Sequence, residues 1–160
     1  MSQPGSRAPR KFLVVIDKTP ECAVALRFAA RRAQHTGGRV TLMCAAQPPD
    51  FQQWRGVEEI MRDEARADAE ELIYAAARTV NELSGIIPEL VLPYGESTAC
   101  LHKLLKEDKD ISILVLASGT AKDGPGPLVS HFTGAGMAHM TCPVFVVPGG
   151  LDAEAIERLS

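Results

Sequence analysis

The segment ASGTAKDGPGPLVS, residues 117–130 of this 160-residue chain, has the composition of a loop that could wrap an anionic ligand. It contains three glycines and two prolines, together with hydroxyl groups at Ser118, Thr120 and Ser130. Glycine lets a backbone turn closely around a ligand, whereas proline removes an N–H group that would donate to it. Two interpretations follow: a phosphate-binding loop, or a rigid turn that only connects a strand to a helix.

The helix predicted after this loop, from about Pro127 to Met140, supplies the donors for the first interpretation. Leu128, Val129 and Ser130 would present free N–H groups at the positive end of that helix, where anions bind favourably. Lys122 and the loop hydroxyls are close in sequence. An anion site at residues 128–130 is therefore one hypothesis, and a connecting Pro-Gly turn is the alternative.

Asp17 and Ala45 end the first two apolar runs of the chain, FLVVID (12–17) and RVTLMCA (39–45). Asp17 would either contact a ligand or accept hydrogen bonds from backbone N–H groups of its own turn. Because Thr19 followed by Pro20 predicts the cap of the next helix, Asp17 is left available for a ligand. Ala45 could offer only backbone atoms and space for a base, and a core alanine explains it equally well.

Motifs for catalysis and metal binding are absent from the sequence. It contains no G-x-S-x-G elbow, no Walker loop, and neither the S-G-G-x-D-S nor the H-x-G-H motif of related nucleotide-binding sheets. The four cysteines form no C-x-x-C pair and are interpreted as reduced core fillers, and the four histidines show no metal-binding spacing. We therefore predict neither an enzyme nor a metal protein; a small nucleotide hydrolase or transferase is the least favoured alternative.

Length and charge predict a single cytoplasmic domain. Hydrophobic residues make up 46% of the chain and charged residues 23%, and the net charge of -3 indicates neither nucleic acid nor an anionic membrane as partner. The segment MSQPGSRAPRK lacks the apolar core of a secretory signal. We expect a disordered tail at residues 1–10, one domain at 11–148, and a C-terminal tail at 149–160 whose LDAEAIERL segment fits one or two helical turns.

Strand and helix patterns alternate along the chain. Apolar runs typical of buried strands occupy residues 12–17, 39–45, 89–93, 111–117 and 143–148. Helical patterns separate them, at Thr19 to Gly37, 57–83, a short segment capped by Ser97 or Thr98, and from Pro127. This alternation predicts an open, doubly wound α/β fold with a five-stranded parallel sheet, in which ligands bind beyond the carboxyl ends of the strands.

Segments spread over the whole predicted domain resemble the universal stress protein family: RKFLVVIDKTPECAVALRFAARRA, RVTLMCA, ISILVLASGT and TCPVFVVP. The resemblance extends from Lys11 to Pro148 and implies a Rossmann-like sheet of order 3-2-1-4-5 of the adenine-nucleotide-binding type, usually as a homodimer. Many family members bind ATP through an aspartate that ends strand one and a loop after strand four. That loop reads glycine, two residues, glycine, nine residues, then glycine and serine or threonine.

The loop of this chain departs from the family pattern. Aligned without gaps from Cys142-Pro143, the four pattern positions hold Ala117, Thr120, Ser130 and His131. None is glycine, and other registers match little better, so the chain is interpreted as a divergent branch with weak or absent ATP binding. If ATP or another adenine nucleotide binds, the candidate contacts are Asp17, Ala45, Ala117, Ser118, Gly119, Gly124, Gly126, Leu128, Val129, Ser130 and His131.

The sequence thus favours a regulatory or stress-response protein that acts as a homodimeric interaction module with unidentified protein partners. The alternative is a stress protein that binds ATP or another adenine nucleotide. The segment Pro143–Pro148 is the predicted dimer contact, because it is apolar on both faces and, by the resemblance, forms an edge strand. Its two prolines fit an edge, since each lacks a ladder donor.

Overall fold

The computed structural model describes residues 8–47 and 58–160. Its strands are β1 (Lys11–Val15), β2 (Arg39–Met43), β3 (Glu89–Val91), β4 (Ile111–Ser118) and β5 (Val144–Pro148). Its helices are α1 (Cys22–Thr36), α2 (Glu58–Ser84), α3 (Ser97–Glu107), α4 (Pro127–Thr133) and α5 (Ala153–Leu159), with a short 3-10 helix at Ala135–His139.

The five strands form one parallel sheet in the order β3-β2-β1-β4-β5, which confirms the predicted topology. β1 lies at the centre, where Leu13 pairs with Thr41 of β2 and Leu114 of β4. β1 and β4 are adjacent although α1, β2, α2, β3 and α3 separate them in sequence. The chain therefore reverses its winding direction between these two strands, which is where ligands bind in such sheets.

Alternate residues of the central strand pack into two separate hydrophobic cores, one on each face of the sheet. Phe12 and Val14 pack with α1, α2 and Ile156 of α5 on one face, while Leu13 and Val15 pack with α3 and α4 on the other. This alternation is the period of two expected of a strand. Because both faces are covered, β1 and β4 are predominantly apolar, and the described sheet is open at its edges and strand ends.

The predicted helix starts need correction. α1 begins at Cys22 and its cap position is Glu21, so Thr19 does not cap it; the Thr19 hydroxyl donates instead to Asp17 Oδ1. The cap of α3 is Glu96, whose carboxylate accepts from the backbone of Thr98 and Ala99, one residue earlier than predicted. In α3 an acidic side chain thus takes the role that the sequence pattern gave to a hydroxyl, whereas the Glu21 side chain makes no cap hydrogen bond in α1.

The helix predicted from Pro127 to Met140 is broken at Gly134. α4 ends at Thr133, the Gly134 N–H donates to the His131 carbonyl at 3.2 Å, and a 3-10 helix continues the chain. The glycine backbone at φ −111°, ψ −126° lies outside the helical region, so the α-helix cannot pass through it. The segment is consequently two short pieces set against α3 and β5 rather than one long helix.

The C-terminal segment is helical, as its sequence suggested, and is part of the fold. Asp152 caps α5 by accepting from Ala155 N at 2.8 Å, and Ile156 is buried in the core beside α1. Glu157 contacts both Arg27 and Arg31 of α1. Residues 1–7 of the predicted disordered tail and the predicted start of α2 lie outside the described residues. No helix in the described ranges combines the length and apolarity that crossing a membrane requires.

Candidate functional site

Two neighbouring clefts open at the carboxyl ends of the central strands. The first, here the β1–β2 cleft, has a volume of ≈ 450 Å³. Its walls are the ends of β1 and β2, the inward side of α2 and the starts of α3 and α4. It is lined by Val15, Ile16, Asp17, Lys18, Cys44, Ala45, Gln47, Ala65, Asp68, Ala69, Leu72, Glu96, Ser97, Thr98, Pro127 and Leu128.

The second, here the loop cleft, has a volume of ≈ 500 Å³ and lies beside the loop that follows β4. It is lined by Pro20, Glu21, Gly119, Thr120, Ala121, Asp123, Gly124, Gly126, Pro127 and Ser130. A small cavity of ≈ 80 Å³ shares Asp17 and Leu128 with the first cleft, and Glu21 and Gly126 with the second. The small cavity therefore lies between the two clefts at the switch point, and the three together are here called the groove.

Asp17 lines the β1–β2 cleft, as predicted, and is also used by its own turn. Its Oδ1 accepts hydrogen bonds from Thr19 N at 2.9 Å and from Thr19 Oγ1 at 2.5 Å. Both bonds end on the same oxygen, so Oδ2 takes part in neither. The local-turn interpretation is thus observed, and one carboxylate oxygen still has capacity to accept from a ligand.

The floor of the β1–β2 cleft is small and uncharged. Ala45 lies there beside Cys44, whose thiol pKa is raised to about 11, mainly by burial and further by the charge of Asp17. Cys22, in the small cavity, has its pKa raised to about 11 chiefly by burial, and its Sγ donates to the Val15 carbonyl at 3.6 Å. Both thiols are therefore protonated at neutral pH and act as small apolar groups.

The loop after β4 closes on itself. Gly119 N donates to the Pro125 carbonyl at 2.8 Å, and Gly124 N donates to the Ala121 carbonyl at 3.3 Å. Gly124 and Gly126 have φ values of 94° and 103°, a region that side chains rarely adopt. These glycines serve the shape of the turn, and two of the N–H groups that could wrap a phosphate are already satisfied.

The predicted N–H cluster at residues 128–130 is smaller than expected. Ser130 N donates to the Gly126 carbonyl at 3.0 Å, which is the first hydrogen bond of α4, so the prediction of a free N–H there is wrong. Leu128 and Val129 remain as first-turn residues, but α4 has only seven residues. A helix this short brings a small dipole, and the anion site loses much of its predicted support.

Carboxylates line the loop cleft. Its ionisable lining residues in the described part of the chain are Glu21 and Asp123, without a lysine or arginine among them. A Cβ atom placed on Gly119 would lie 3.3 Å from Glu21 Oε1 and 3.1 Å from the Gly124 carbonyl oxygen. The Glu21 carboxylate therefore lies against the loop at Gly119. Sequence analysis missed Glu21, because only the folded chain brings the start of α1 to this loop.

The fold gathers most of the predicted contact residues around the groove. Asp17, Ala45 and Leu128 line the β1–β2 cleft; Ala117, Gly126 and Val129 line the small cavity; and Gly119, Gly124 and Ser130 line the loop cleft. Ser118 and His131 line none of these three cavities, so their prediction as ligand contacts is not supported by the geometry. The Ser118 carbonyl instead packs against Gly149, where a Cβ would lie only 2.0 Å away.

His131 turns away from the groove toward α3. Its Nε2 lies 2.9 Å from Nε2 of His102, and the two rings meet edge to face at 80°. Burial lowers the pKa of His102, and the neighbouring His131 and His139 lower it further. In residues 8–47 and 58–160 no group of three or more His, Cys, Asp or Glu side chains is arranged to hold a metal ion.

Comparison with known proteins places this architecture in a family. Residues 9–148 match the sequence pattern of the Universal stress protein family. No match was found among the curated proteins.

Solved structures share the fold at low sequence identity. Universal stress protein UspA from Lactobacillus plantarum superposes with a TM-score of 0.72 and 17% identity, over 89% of this chain and 99% of its own. A universal stress protein family protein from Arabidopsis thaliana, solved with AMP bound, superposes with a TM-score of 0.61 and 15% identity. The match covers 91% of this chain and 94% of the Arabidopsis chain. The universal stress protein from Archaeoglobus fulgidus in complex with dAMP superposes with a TM-score of 0.53 and 18% identity. The match covers 88% of this chain and 98% of the Archaeoglobus chain. At these identities the likeness shows the fold alone.

Proposed function

Because the chain belongs to the universal stress protein family, we propose that it is a regulatory stress-response protein that acts as a homodimeric interaction module and binds ATP weakly or not at all. The observation that carries the weak binding is the loop after β4, whose Gly119 and Gly124 N–H groups donate within the loop. The proposal places the protein in the cytoplasm and gives it no catalytic role, in keeping with the missing catalytic motifs.

A triphosphate bound in the loop cleft would need donors and cations that the lining does not provide. The ionisable residues there are Glu21 and Asp123, which repel phosphate. Two unit charges about 5 Å apart interact by roughly 1–3 kcal/mol at the effective dielectric constants of a protein surface. Each carboxylate thus opposes ATP by an amount comparable to what one good hydrogen bond contributes.

The second candidate function is binding of an adenine nucleotide, and the β1–β2 cleft favours it. Its volume of ≈ 450 Å³ is typical of small-molecule sites. Fold relatives were solved with AMP and with dAMP. In this alternative the base would lie between Ala45 and Leu128, and Asp17 would accept from a ribose hydroxyl.

The exposed edge of β5 supports the proposed homodimer. β5 pairs with β4 on one side, which leaves its other edge open within the described sheet. Val144 and Val146 pack toward α3 and α4, while Phe145 stacks on Phe28 with ring centroids 4.9 Å apart and remains 47% exposed. Antiparallel pairing of this strand with its own copy about a two-fold axis would cover both the open edge and the exposed ring.

Calorimetric titration with ATP, ADP and AMP tests the two candidates. The proposal expects no saturable heat from ATP at concentrations up to about 1 mM, which corresponds to a binding free energy weaker than about −4 kcal/mol. The second candidate expects micromolar binding that Asp17→Ala weakens by about 1–3 kcal/mol, the scale of a lost charged hydrogen bond.

Asp17→Asn is the matched control for that titration, because it keeps an acceptor for the Thr19 turn while removing the charge. Micromolar ATP binding by the wild type would contradict the proposal. If such binding is also indifferent to Asp17→Ala and to Gly126→Val, the nucleotide lies outside the described groove.

A further inference from the structure

We infer that the groove at the switch point selects an uncharged, nucleoside-sized ligand, and that Glu21 is the residue that excludes its phosphorylated forms. This inference rests on the proposed weak ATP binding and concerns the ligand that the same site binds in place of ATP. It concerns Glu21 as a specificity determinant and is independent of the proposed dimer.

The β1–β2 cleft has the surface for a flat, weakly polar molecule. Cys44, Ala45 and Leu128 offer small apolar side chains, and Leu72 of α2 faces them across the cleft. Ser97 lies at the rim, where its Oγ accepts from Gln47 Nε2 at 3.0 Å. That bond fixes the amide so that the Gln47 carbonyl oxygen remains as an acceptor.

The remaining polar groups of this cleft are mostly hydrogen-bond acceptors. Among the described residues the carboxylates are those of Asp17, Asp68 and Glu96, against one ammonium group, that of Lys18. The pKa of Glu96 is held below its usual range by the hydrogen bonds from Thr98 N and Ala99 N, so it stays ionised at neutral pH. A nucleoside supplies hydroxyl and amine donors for such acceptors, whereas a phosphate supplies more negative charge.

Glu21 stands where the groove continues from the β1–β2 cleft to the loop cleft. It lines both the small connecting cavity and the loop cleft, and its Oε1 reaches the backbone at Gly119. No salt bridge among the described residues neutralises it. A phosphate attached to a nucleoside in the first cleft and directed toward the loop cleft would therefore approach a carboxylate that no described salt bridge offsets.

The second carboxylate of the loop cleft, Asp123, adds to the negative charge near the loop, but its side chain is exposed to solvent. Exposed charges are screened by salt over a distance of about 10 Å at 0.1 M ionic strength, and half-buried ones less so. Glu21 is half-buried, so its effect is expected to exceed that of Asp123. The residue that excludes phosphorylated ligands is therefore Glu21, rather than the acidic lining of the cleft as a whole.

The experiment is calorimetric titration of the full chain with adenosine, AMP and ATP, each with EDTA and again with Mg²⁺. Glu21→Gln removes the charge and keeps the shape of the side chain. Glu107→Gln is the matched control, because Glu107 is an exposed carboxylate at the far end of α3 from Ser97. We expect the wild type to bind adenosine at least tenfold more tightly than ATP.

Glu21→Gln should raise the affinity for AMP and ATP about five- to tenfold and leave adenosine within twofold, whereas Glu107→Gln should change none of the three. Higher salt should reduce the preference of the wild type for adenosine, because it screens the repulsion from Glu21. The inference is supported if the preference for adenosine over ATP is lost in Glu21→Gln and retained in Glu107→Gln.

Several results would overturn it. If neither adenosine nor ATP binds at millimolar concentration, the inference fails while the proposed weak ATP binding stands. If ATP binds as tightly as adenosine, with or without Mg²⁺, both fail. If adenosine is preferred but Glu21→Gln does not alter the ratio, Glu21 is not the specificity determinant.

Discussion

A buried ion cluster at the amino-terminal edge of the sheet should make Asp108 important for stability. Lys11 of β1 has only 5% of its side chain exposed and forms salt bridges with Asp108, which is 20% exposed, and with Glu89, which is 54% exposed. Burial by itself would lower the pKa of Lys11, but the hydrogen bonds and charges of the two carboxylates raise it overall. Lys11 is therefore charged in the folded protein and depends on these partners.

Asp108→Asn should lower the free energy of unfolding by about 2–3 kcal/mol at pH 7. Removing one partner of a buried ion pair costs about 3–5 kcal/mol, because the other charge is left uncompensated. The expected value is smaller here, since Asp108 is partly exposed and Glu89 stays 2.7 Å from Lys11. For a domain of this size the melting temperature should fall by roughly 5–10 °C.

Urea unfolding followed by far-UV circular dichroism measures this change, with Asp110→Asn as the control. Asp110 is 69% exposed and lies 4.0 Å from Arg39, so its replacement should cost less than about 0.5 kcal/mol. An effect of Asp108→Asn below about 1 kcal/mol, or equal to that of the control, would refute the reasoning about the buried lysine.

The pH dependence supplies a second check. Burial raises the pKa of Asp108, but the hydrogen bond from Lys11, the Asp110 N–H and the positive charges nearby bring it below its usual value. A carboxylate with a lowered native pKa stabilises the fold above its unfolded pKa, and this contribution is lost as the pH falls through the native pKa. The stability difference between wild type and Asp108→Asn should therefore be constant from pH 5 to 8, within about 0.5 kcal/mol, and shrink in acid.

Three further predictions concern the β5 edge and the face of the sheet covered by α3 and α4. Val146→Lys should convert the proposed dimer to monomer in light scattering at micromolar concentration while the far-UV spectrum is retained; a wild-type monomer would rule out this interface. Gly136→Ala should lower stability by about 1–3 kcal/mol in urea unfolding, because the new Cβ would lie 2.4 Å from His131 Nε2; an unchanged midpoint would contradict this close contact. His131→Gln should raise the lowered pKa of His102 in NMR titration, since it removes the charge interaction with His131 that contributes to the lowering; a fall would contradict the assigned contact.

The parallel sheet with alternating strands and helices could be predicted because local signals agree with the global fold, whereas the strand order followed from the family resemblance. FLVVI is apolar throughout and ISILVLA contains one polar residue, Ser112, as expected of strands covered on both faces. The end of β1 was placed too late by two residues, since Asp17 belongs to a turn closed by Thr19 rather than to the strand.

The candidate site could be predicted only in part, because its chemistry depends on contacts between distant segments. The glycines at 124 and 126 suggested a ligand loop, yet their positive φ values serve the turn itself. Glu21 reaches Gly119 across about a hundred residues of sequence, and His131 meets His102 on another helix. No local pattern encodes such pairs, so the sequence located the groove but not its charge.

The most direct test of the central claim is the nucleotide content of the protein as purified. The absorbance ratio at 260 and 280 nm, followed by chromatography of the supernatant after denaturation, identifies and counts any bound nucleotide. The account predicts no ATP or ADP above trace amounts, because the Gly119 and Gly124 N–H groups are satisfied within the loop and the Glu21 carboxylate lies against the loop at Gly119. ATP or ADP recovered at about one molecule per chain would contradict it.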